Sequence, residues 1–141
     1  MRYSHRMADI RIVTPDFATA PQMTPEDMTE AAARGFKRVI NNRPDGEAPG
    51  QPTSAEMEAA ARAAGLDYVA APFTMPPGAD HVRQVGEAVR SAPGPVLAFC
   101  RSGTRSITAW ALSQADAGRD REELVRLGRE AGYDLSGALE V

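Results

Sequence analysis

The sequence predicts an α/β fold: one domain with a central, mostly parallel sheet covered by helices on both faces. Short apolar runs rich in β-formers alternate along the chain with segments whose apolar residues recur at helical spacing, which is the pattern of such sheets. The chain has 141 residues, of which 43% are hydrophobic and 25% charged, enough for one ordinary globular core. We expect a flexible N-terminal tail over residues 1–8 and the folded domain over 9–141.

The first half of the chain predicts three strands and one helix. Apolar residues on either side of a Thr-Pro-Asp turn predict two short strands over 10–17, paired as a hairpin or edge ribbon. A Thr-Pro pair followed by two acidic residues predicts a helix over 25–34, which Gly35 ends. The run 36–40 predicts the third strand, and the proline, glycine and asparagine content of 41–52 predicts a long surface loop.

The second half begins with a capping box, in which Thr53 is followed three residues later by Glu56. This motif predicts a helix that continues to Gly65. Apolar runs bounded by proline and glycine then alternate with helical spacing. The predicted elements are a strand over 66–73, a helix over 81–91, a strand over 95–99, and helices over 105–117 and 121–131.

The stretch 95–106 carries the clearest functional signal. A buried strand ends on Cys100, the only cysteine of the chain, and a polar turn containing Gly103 leads into a helix. The first N–H groups and the positive dipole end of that helix would point at the sulfur, which favours the thiolate and creates an anion site. Arg101 and Arg105 add fixed positive charge. The combination predicts an oxyanion or an anionic sulfur species bound against a reactive cysteine.

Each residue of this loop has a predicted role and an ordinary structural alternative. Cys100 is the candidate nucleophile, although a lone intracellular cysteine is often an inert buried side chain. Arg105, with Arg101 at the rim, is expected to bind the anion, and a surface charge or salt bridge is the alternative. Ser106 is expected to hydrogen-bond the thiolate or assist its turnover, or else to be a simple helix residue. Backbone N–H groups complete the predicted anion site, which we assign to Arg101, Ser102, Gly103 and Thr104.

Polar side chains from other loops are expected beside Cys100. Parallel sheets of this kind bind ligands beyond the carboxyl ends of their strands, and the loops after the third, fourth and fifth strands share that edge. We assign Asn41 and Arg43 to anion or substrate binding, whereas acidic turn residues such as Asp45 and Glu47 are normally solvated. The polar residues within possible reach of the sulfur are Asn41, Arg43, Asp45, Glu47, Thr74 and Asp80.

Composition argues against several classes of function. The net charge of −3, without a basic run, argues against nucleic acid as a partner. We find no secretory signal and no apolar run long enough to cross a bilayer, so no membrane association is expected. A single cysteine cannot form an intrachain disulfide and fits a reducing cytoplasm. One cysteine and two distant histidines cannot form a zinc cluster, and we expect no metal and no other cofactor.

Three motifs resemble a bacterial family: FKRVINNRPDGEAPGQP at 36–52, AAGLDYVAAPF at 63–73 and PGPVLAFCRSGTRS at 93–106. They are similar to the phosphatase-like domain of β-lactamase-hydrolase-like proteins, a family also described as sulfur transferases. The resemblance covers roughly 9–136. It implies a fold like that of dual-specificity and tyrosine phosphatases, with Cys100 as nucleophile and the following loop as anion cradle. Some relatives are fused to a persulfide dioxygenase, which implies such an enzyme as a partner.

The sequence departs from a standard tyrosine phosphatase at three places. Four residues separate Cys100 from Arg105 where those enzymes have five, a length that resembles the loop of rhodanese sulfurtransferases. Phe99 replaces the histidine that normally precedes the cysteine. Met75 stands where we align the general acid of the phosphatases. Two other carboxylates are candidates to substitute for that acid, Asp80 and Asp45.

The short loop favours sulfur chemistry in this interpretation. We expect a sulfurtransferase in which Cys100 takes sulfane sulfur from thiosulfate or a small persulfide, holds it as a cysteine persulfide and passes it to a thiol acceptor. Sulfur leaving groups need little protonation, so a missing acid hinders this reaction less than phosphoester hydrolysis. The alternative is a phosphatase that hydrolyses phosphomonoesters through a phosphocysteine. A third hypothesis is a module that binds anions in the cradle without turnover.

Overall fold

The computed structural model describes residues 7–141, and it confirms the predicted α/β fold. Every predicted strand and helix forms within that part of the chain. The strands are β1 (Arg11–Thr14), β2 (Phe17–Ala20), β3 (Arg38–Asn41), β4 (Asp67–Ala70) and β5 (Val96–Phe99). The helices are α1 (Asp27–Ala33), α2 (Ser54–Ala63), α3 (Ala79–Arg90), α4 (Thr104–Asp116), α5 (Arg121–Glu130) and α6 (Ser136–Leu139).

The five strands described form one sheet in the order β1-β2-β5-β3-β4. The edge strand β1 pairs antiparallel with β2, as the predicted hairpin requires, and the other pairings are parallel. Phe99, the last residue of β5, lies opposite Ala20 on one side and Asn41 on the other. Asn41 in turn lies opposite Ala70. The carboxyl ends of four strands are therefore level, and their loops meet at one edge as predicted.

Helices cover both faces of the sheet because side chains of the central strand alternate between two cores. Leu97 and Phe99 pack into one core, with apolar residues of α1 and α2. Val96 and Ala98 pack into the other, with residues of α3 to α6. This second core contains a stacked pair of rings, Phe17 and Trp110, whose centroids lie 4.8 Å apart. The strand β5 is thus buried on both faces, which explains its continuous apolar sequence.

Local hydrogen bonds set the boundaries of the helices and strands. The predicted capping box is present at α2, where Thr53 and Glu56 exchange hydrogen bonds. The strand β4 is shorter than the predicted 66–73, because it ends at Ala70 just before Pro72, which has no N–H to donate. The short helix α6 was not predicted, since four residues give no helical periodicity to detect.

The tail predicted over residues 1–8 lies outside the described residues, except for its last two positions. Of these, Ala8 donates its N–H to the Glu30 carboxylate of α1 at 3.0 Å. In the described range, 7–141, every helix is too short or too polar to span a bilayer.

Candidate active site

Cys100 lies directly after β5, at the level where the strands end. Its side chain is buried, with 1% of the residue exposed. Gly103 adopts a left-handed backbone, with φ of +93°, and donates its N–H to the Cys100 sulfur at 3.1 Å. The helix α4 starts at the next residue, Thr104. A backbone donor and a helix N-terminus therefore face the sulfur, and both favour negative charge there.

Arg105 is held beside the loop by a carboxylate from the β3–α2 loop. Its Nη1 and Nη2 atoms donate to the two oxygens of Glu47 at 2.9 and 2.7 Å. Nη1 also donates to the Phe73 carbonyl at 3.1 Å. Glu47 accepts a further hydrogen bond from the Nε of Arg43 at 2.9 Å, so one carboxylate joins two guanidinium groups.

Among residues 7–141, these contacts leave one edge of the Arg105 guanidinium available. A guanidinium has five N–H donors, of which Glu47 and Phe73 take three. The remaining two, on Nε and Nη2, form a side-on fork of the kind that binds phosphate or carboxylate. The pKa of Arg105 is raised mainly by its hydrogen bond to Glu47, and attraction to Cys100 contributes. Glu47 thus anchors one edge while the other can bind an anion next to the sulfur.

The charge of Glu47 is stabilised by the same contacts. Hydrogen bonding to Arg105, followed by that to Arg43, lowers the Glu47 pKa from 4.5 to about 2, although partial burial opposes the shift. The group is therefore ionised at neutral pH and cannot donate a proton there. Sequence reasoning placed Glu47 near the sulfur but missed its role as the partner of Arg105. No local pattern reports a contact across 58 positions.

The residues predicted to bind the anion fall into two groups. Arg101, Ser102 and Thr104 are exposed on the loop, with Ser102 Oγ donating to Thr104 Oγ1 at 3.0 Å. Asn41 and Arg43 are buried. Asn41 accepts the Arg43 N–H at 2.9 Å.

Buried Arg43 donates from Nη1 to Gln22 at 3.1 Å, in addition to its contact with Glu47. Its side chain is thus engaged with Gln22 and Glu47, and the Glu47 carboxylate links it to Arg105. Ser106 is completely buried on α4, and its hydroxyl has no hydrogen-bond partner in the part of the chain that the structure describes.

The structure gives the candidate general acids other contacts. Asp45 accepts the N–H of Ser54, the first residue of α2. Asp80 is ion-paired with Arg83 on the first turn of α3, and its side chain is 87% exposed. Met75 is exposed in the same β4–α3 loop. A general-acid role for Asp80 or Asp45 stays a prediction, and Thr74 is an exposed residue of that loop.

The sheet order, the level strand ends and the cysteine loop before α4 define a phosphatase-like domain. The sequence model of the phosphatase-like domain of beta-lactamase hydrolase-like proteins matches residues 9–117. The chain belongs to this family, which confirms the resemblance seen in the three motifs.

Curated relatives support the same assignment. A beta-lactamase hydrolase-like protein of Agrobacterium fabrum is 40% identical over 114 residues, covering 79% of this chain and 26% of the relative. One from Xylella fastidiosa strain Temecula1 is 39% identical over 125 residues, covering 86% of this chain and 29% of the relative. The chain therefore spans less than a third of these relatives.

Solved structures share the fold. A protein described as a candidate phosphatase from Neisseria meningitidis Z2491 is 30% identical, with a TM-score of 0.84 and 94% of each chain covered. Tk-PTP in its active form is 22% identical, with a TM-score of 0.67 over 94% of this chain and 91% of that one. TpbA of P. aeruginosa, in complex with phosphotyrosine, is 16% identical, with a TM-score of 0.64 over 94% and 89%.

These matches overturn the expected sulfurtransferase. The family and the similar structures are phosphatase-like, so the phosphatase alternative is the better supported of the two. The sulfurtransferase prediction was wrong because it inferred the reaction from the length of the cysteine loop. Although the loop between Cys100 and Arg105 is one residue short, it still brings a backbone N–H to the sulfur and the guanidinium beside it. Its length therefore does not identify sulfur transfer.

Proposed function

We propose that the chain is a cysteine-dependent phosphatase that hydrolyses phosphomonoesters through a phosphocysteine on Cys100. One observation carries the proposal: the Cys100 sulfur accepts the Gly103 N–H at the start of α4, with the anchored Arg105 guanidinium next to it. This arrangement supplies a nucleophile, a fixed donor and a positive fork around one position. A phosphoryl group needs all three.

In the first step, the Cys100 thiolate attacks phosphorus. The S–P bond forms as the bond from phosphorus to the ester oxygen breaks, and the leaving group takes a proton from water or from an acid nearby. The Nε and Nη2 donors of Arg105 would bind two equatorial oxygens of the phosphoryl group, and the loop N–H groups would bind the third. These donors are fixed before substrate arrives, so they stabilise the transition state without reorganisation.

In the second step, water attacks phosphorus and the S–P bond breaks. Inorganic phosphate leaves, and Cys100 returns as thiolate. We assign the buried Ser106 hydroxyl to this step, as a donor to the sulfur when it becomes a leaving group. Within residues 7–141 this hydroxyl has no hydrogen-bond partner, the Cys100 sulfur included, so its proton is available when the sulfur becomes a leaving group.

The environment of the β4–α3 loop favours substrates with good leaving groups. The exposed Met75 occupies the position that we align with the general acid of tyrosine phosphatases. Asp80 is exposed to solvent and paired with Arg83. General acid catalysis contributes roughly 10²- to 10⁴-fold where it operates, and phenolates need it least. We therefore propose aryl phosphates, phosphotyrosine among them, as the substrate class. The phosphotyrosine complex of TpbA, which shares the fold, is in keeping with this choice.

Hydrolysis of para-nitrophenyl phosphate tests the proposal. The wild-type chain should release nitrophenolate, and Cys100→Ser should abolish release while keeping the fold, as checked by circular dichroism. Equal rates for the two proteins would refute the mechanism. If the wild-type chain binds orthovanadate but releases no product from any aryl phosphate, it is an anion-binding module instead.

A further inference from the structure

One peptide group of the cysteine loop is held from both sides. The peptide between Ser102 and Gly103 donates its N–H to the Cys100 sulfur at 3.1 Å. Its carbonyl, on Ser102, accepts the hydroxyl of Tyr133 at 2.8 Å. Since the N–H and C=O of a trans peptide point in opposite directions, a contact that fixes the carbonyl also fixes the N–H.

The next peptide is held in a similar way. The Gly103 carbonyl accepts the hydroxyl of Thr19 at 3.1 Å, and Thr19 is completely buried on β2. The N–H of that peptide belongs to Thr104, where α4 starts. Two hydroxyls from distant parts of the chain therefore orient two consecutive peptides of the loop.

Tyr133 fits closely against the loop. A Cβ atom on Gly103 would lie 2.1 Å from the Tyr133 hydroxyl, so only glycine leaves room for this contact. The Arg11 guanidinium packs over the Tyr133 ring at 5.3 Å from its centroid and donates to the Ala131 carbonyl at 3.3 Å. Burial, with a contribution from Cys100, raises the Tyr133 pKa, which keeps the phenol protonated and able to donate.

We propose that Tyr133 is a positioning residue of the active site, which holds the Ser102–Gly103 peptide so that its N–H faces the cysteine sulfur. Without the hydroxyl, this peptide can rotate and bring a carbonyl oxygen toward the thiolate, which is repulsive. Tyr133 lies beyond residues 9–117, to which the family model extends. This positioning role concerns the thiolate and can be tested without turnover. It rests on the proposed function only for its effect on the attack of that thiolate on phosphorus.

The test is the pH profile of Cys100 alkylation by iodoacetamide, which reacts with the thiolate and requires no turnover. Tyr133→Phe keeps the ring and removes only the hydroxyl. We expect its alkylation midpoint to move to higher pH, with a rate about three- to tenfold lower than wild type at pH values below the midpoint, the effect of one hydrogen bond. Thr19→Val should shift the profile in the same direction.

Ser136→Ala is the matched control, because it removes a hydroxyl from the same C-terminal segment whose contact is with Asp134. Its profile should match that of the wild type. If the Tyr133→Phe profile also superposes on the wild-type profile, the proposal is wrong, whatever change the melting temperature shows. Because alkylation is independent of hydrolysis, a shifted profile in a protein without phosphatase activity would support the positioning role and count against the proposed function.

Discussion

Glu47→Gln should lower the catalytic efficiency of the proposed phosphatase while leaving its fold intact. The two carboxylate oxygens accept from the two terminal nitrogens of Arg105, and one of them also accepts from Arg43. A glutamine retains one acceptor and turns an NH₂ group toward an arginine N–H, so one hydrogen bond is lost and two donors face each other. The guanidinium is then no longer held with its free edge beside Cys100.

The size of the effect follows from the geometry. A hydrogen bond to a charged group contributes about 1.5–3 kcal/mol. The Glu47 side chain is 25% exposed, so solvent screens the pair and the lower value applies. About 1.4 kcal/mol corresponds to a tenfold change in rate. We therefore expect kcat/KM for para-nitrophenyl phosphate to fall about tenfold.

Glu58→Gln provides the matched control, because Glu58 forms an exposed ion pair with Arg62 on α2. It should keep wild-type kcat/KM. Steady-state kinetics at pH 7 give kcat/KM for each variant, and a thermal melt checks that each variant is folded. A kcat/KM for Glu47→Gln within about twofold of wild type would show that Arg105 needs no anchor from Glu47.

Two further outcomes follow from the same residues. Gly103→Ala places a Cβ against the Tyr133 hydroxyl at a residue with φ of +93°. It should cost about 1–3 kcal/mol in urea unfolding and slow Cys100 alkylation, whereas a variant as stable and as reactive as wild type would contradict this. The lowered Glu47 pKa adds stability above pH 4.5 that is lost as pH falls toward about 2. The stability difference between wild type and Glu47→Gln should therefore shrink over that range, and a constant difference would disprove the coupling.

Much of the fold could be predicted because its signals are local. The capping box at Thr53 and the apolar run of β5 each lie within a few residues. The cysteine loop is equally local, since Cys100 and Arg105 both lie within the six residues 100–105, where β5 leads into α4. Parallel strands then bring their loops to one edge, so the sequence also predicts where the candidate site lies.

The chemistry was harder to predict than the location. The four-residue spacing between Cys100 and Arg105 suggested sulfur transfer. A spacing does not show where the backbone N–H groups and the guanidinium point. The family match and the solved structures corrected that interpretation. The contacts around the sulfur explain why a shorter loop is compatible with the phosphatase-like class.

The sequence by itself determined the order of strands and helices, the edge at which their loops meet, and the cysteine and arginine of the loop. Only the tertiary structure decided which groups hold that loop. Glu47 reaches Arg105 across 58 positions, and Tyr133 reaches Ser102 across 31. Contacts of this kind depend on how the chain packs in three dimensions. In each contact the reaching side chain, Glu47 or Tyr133, lies in an irregular segment, where no hydrophobic period exists to reveal it.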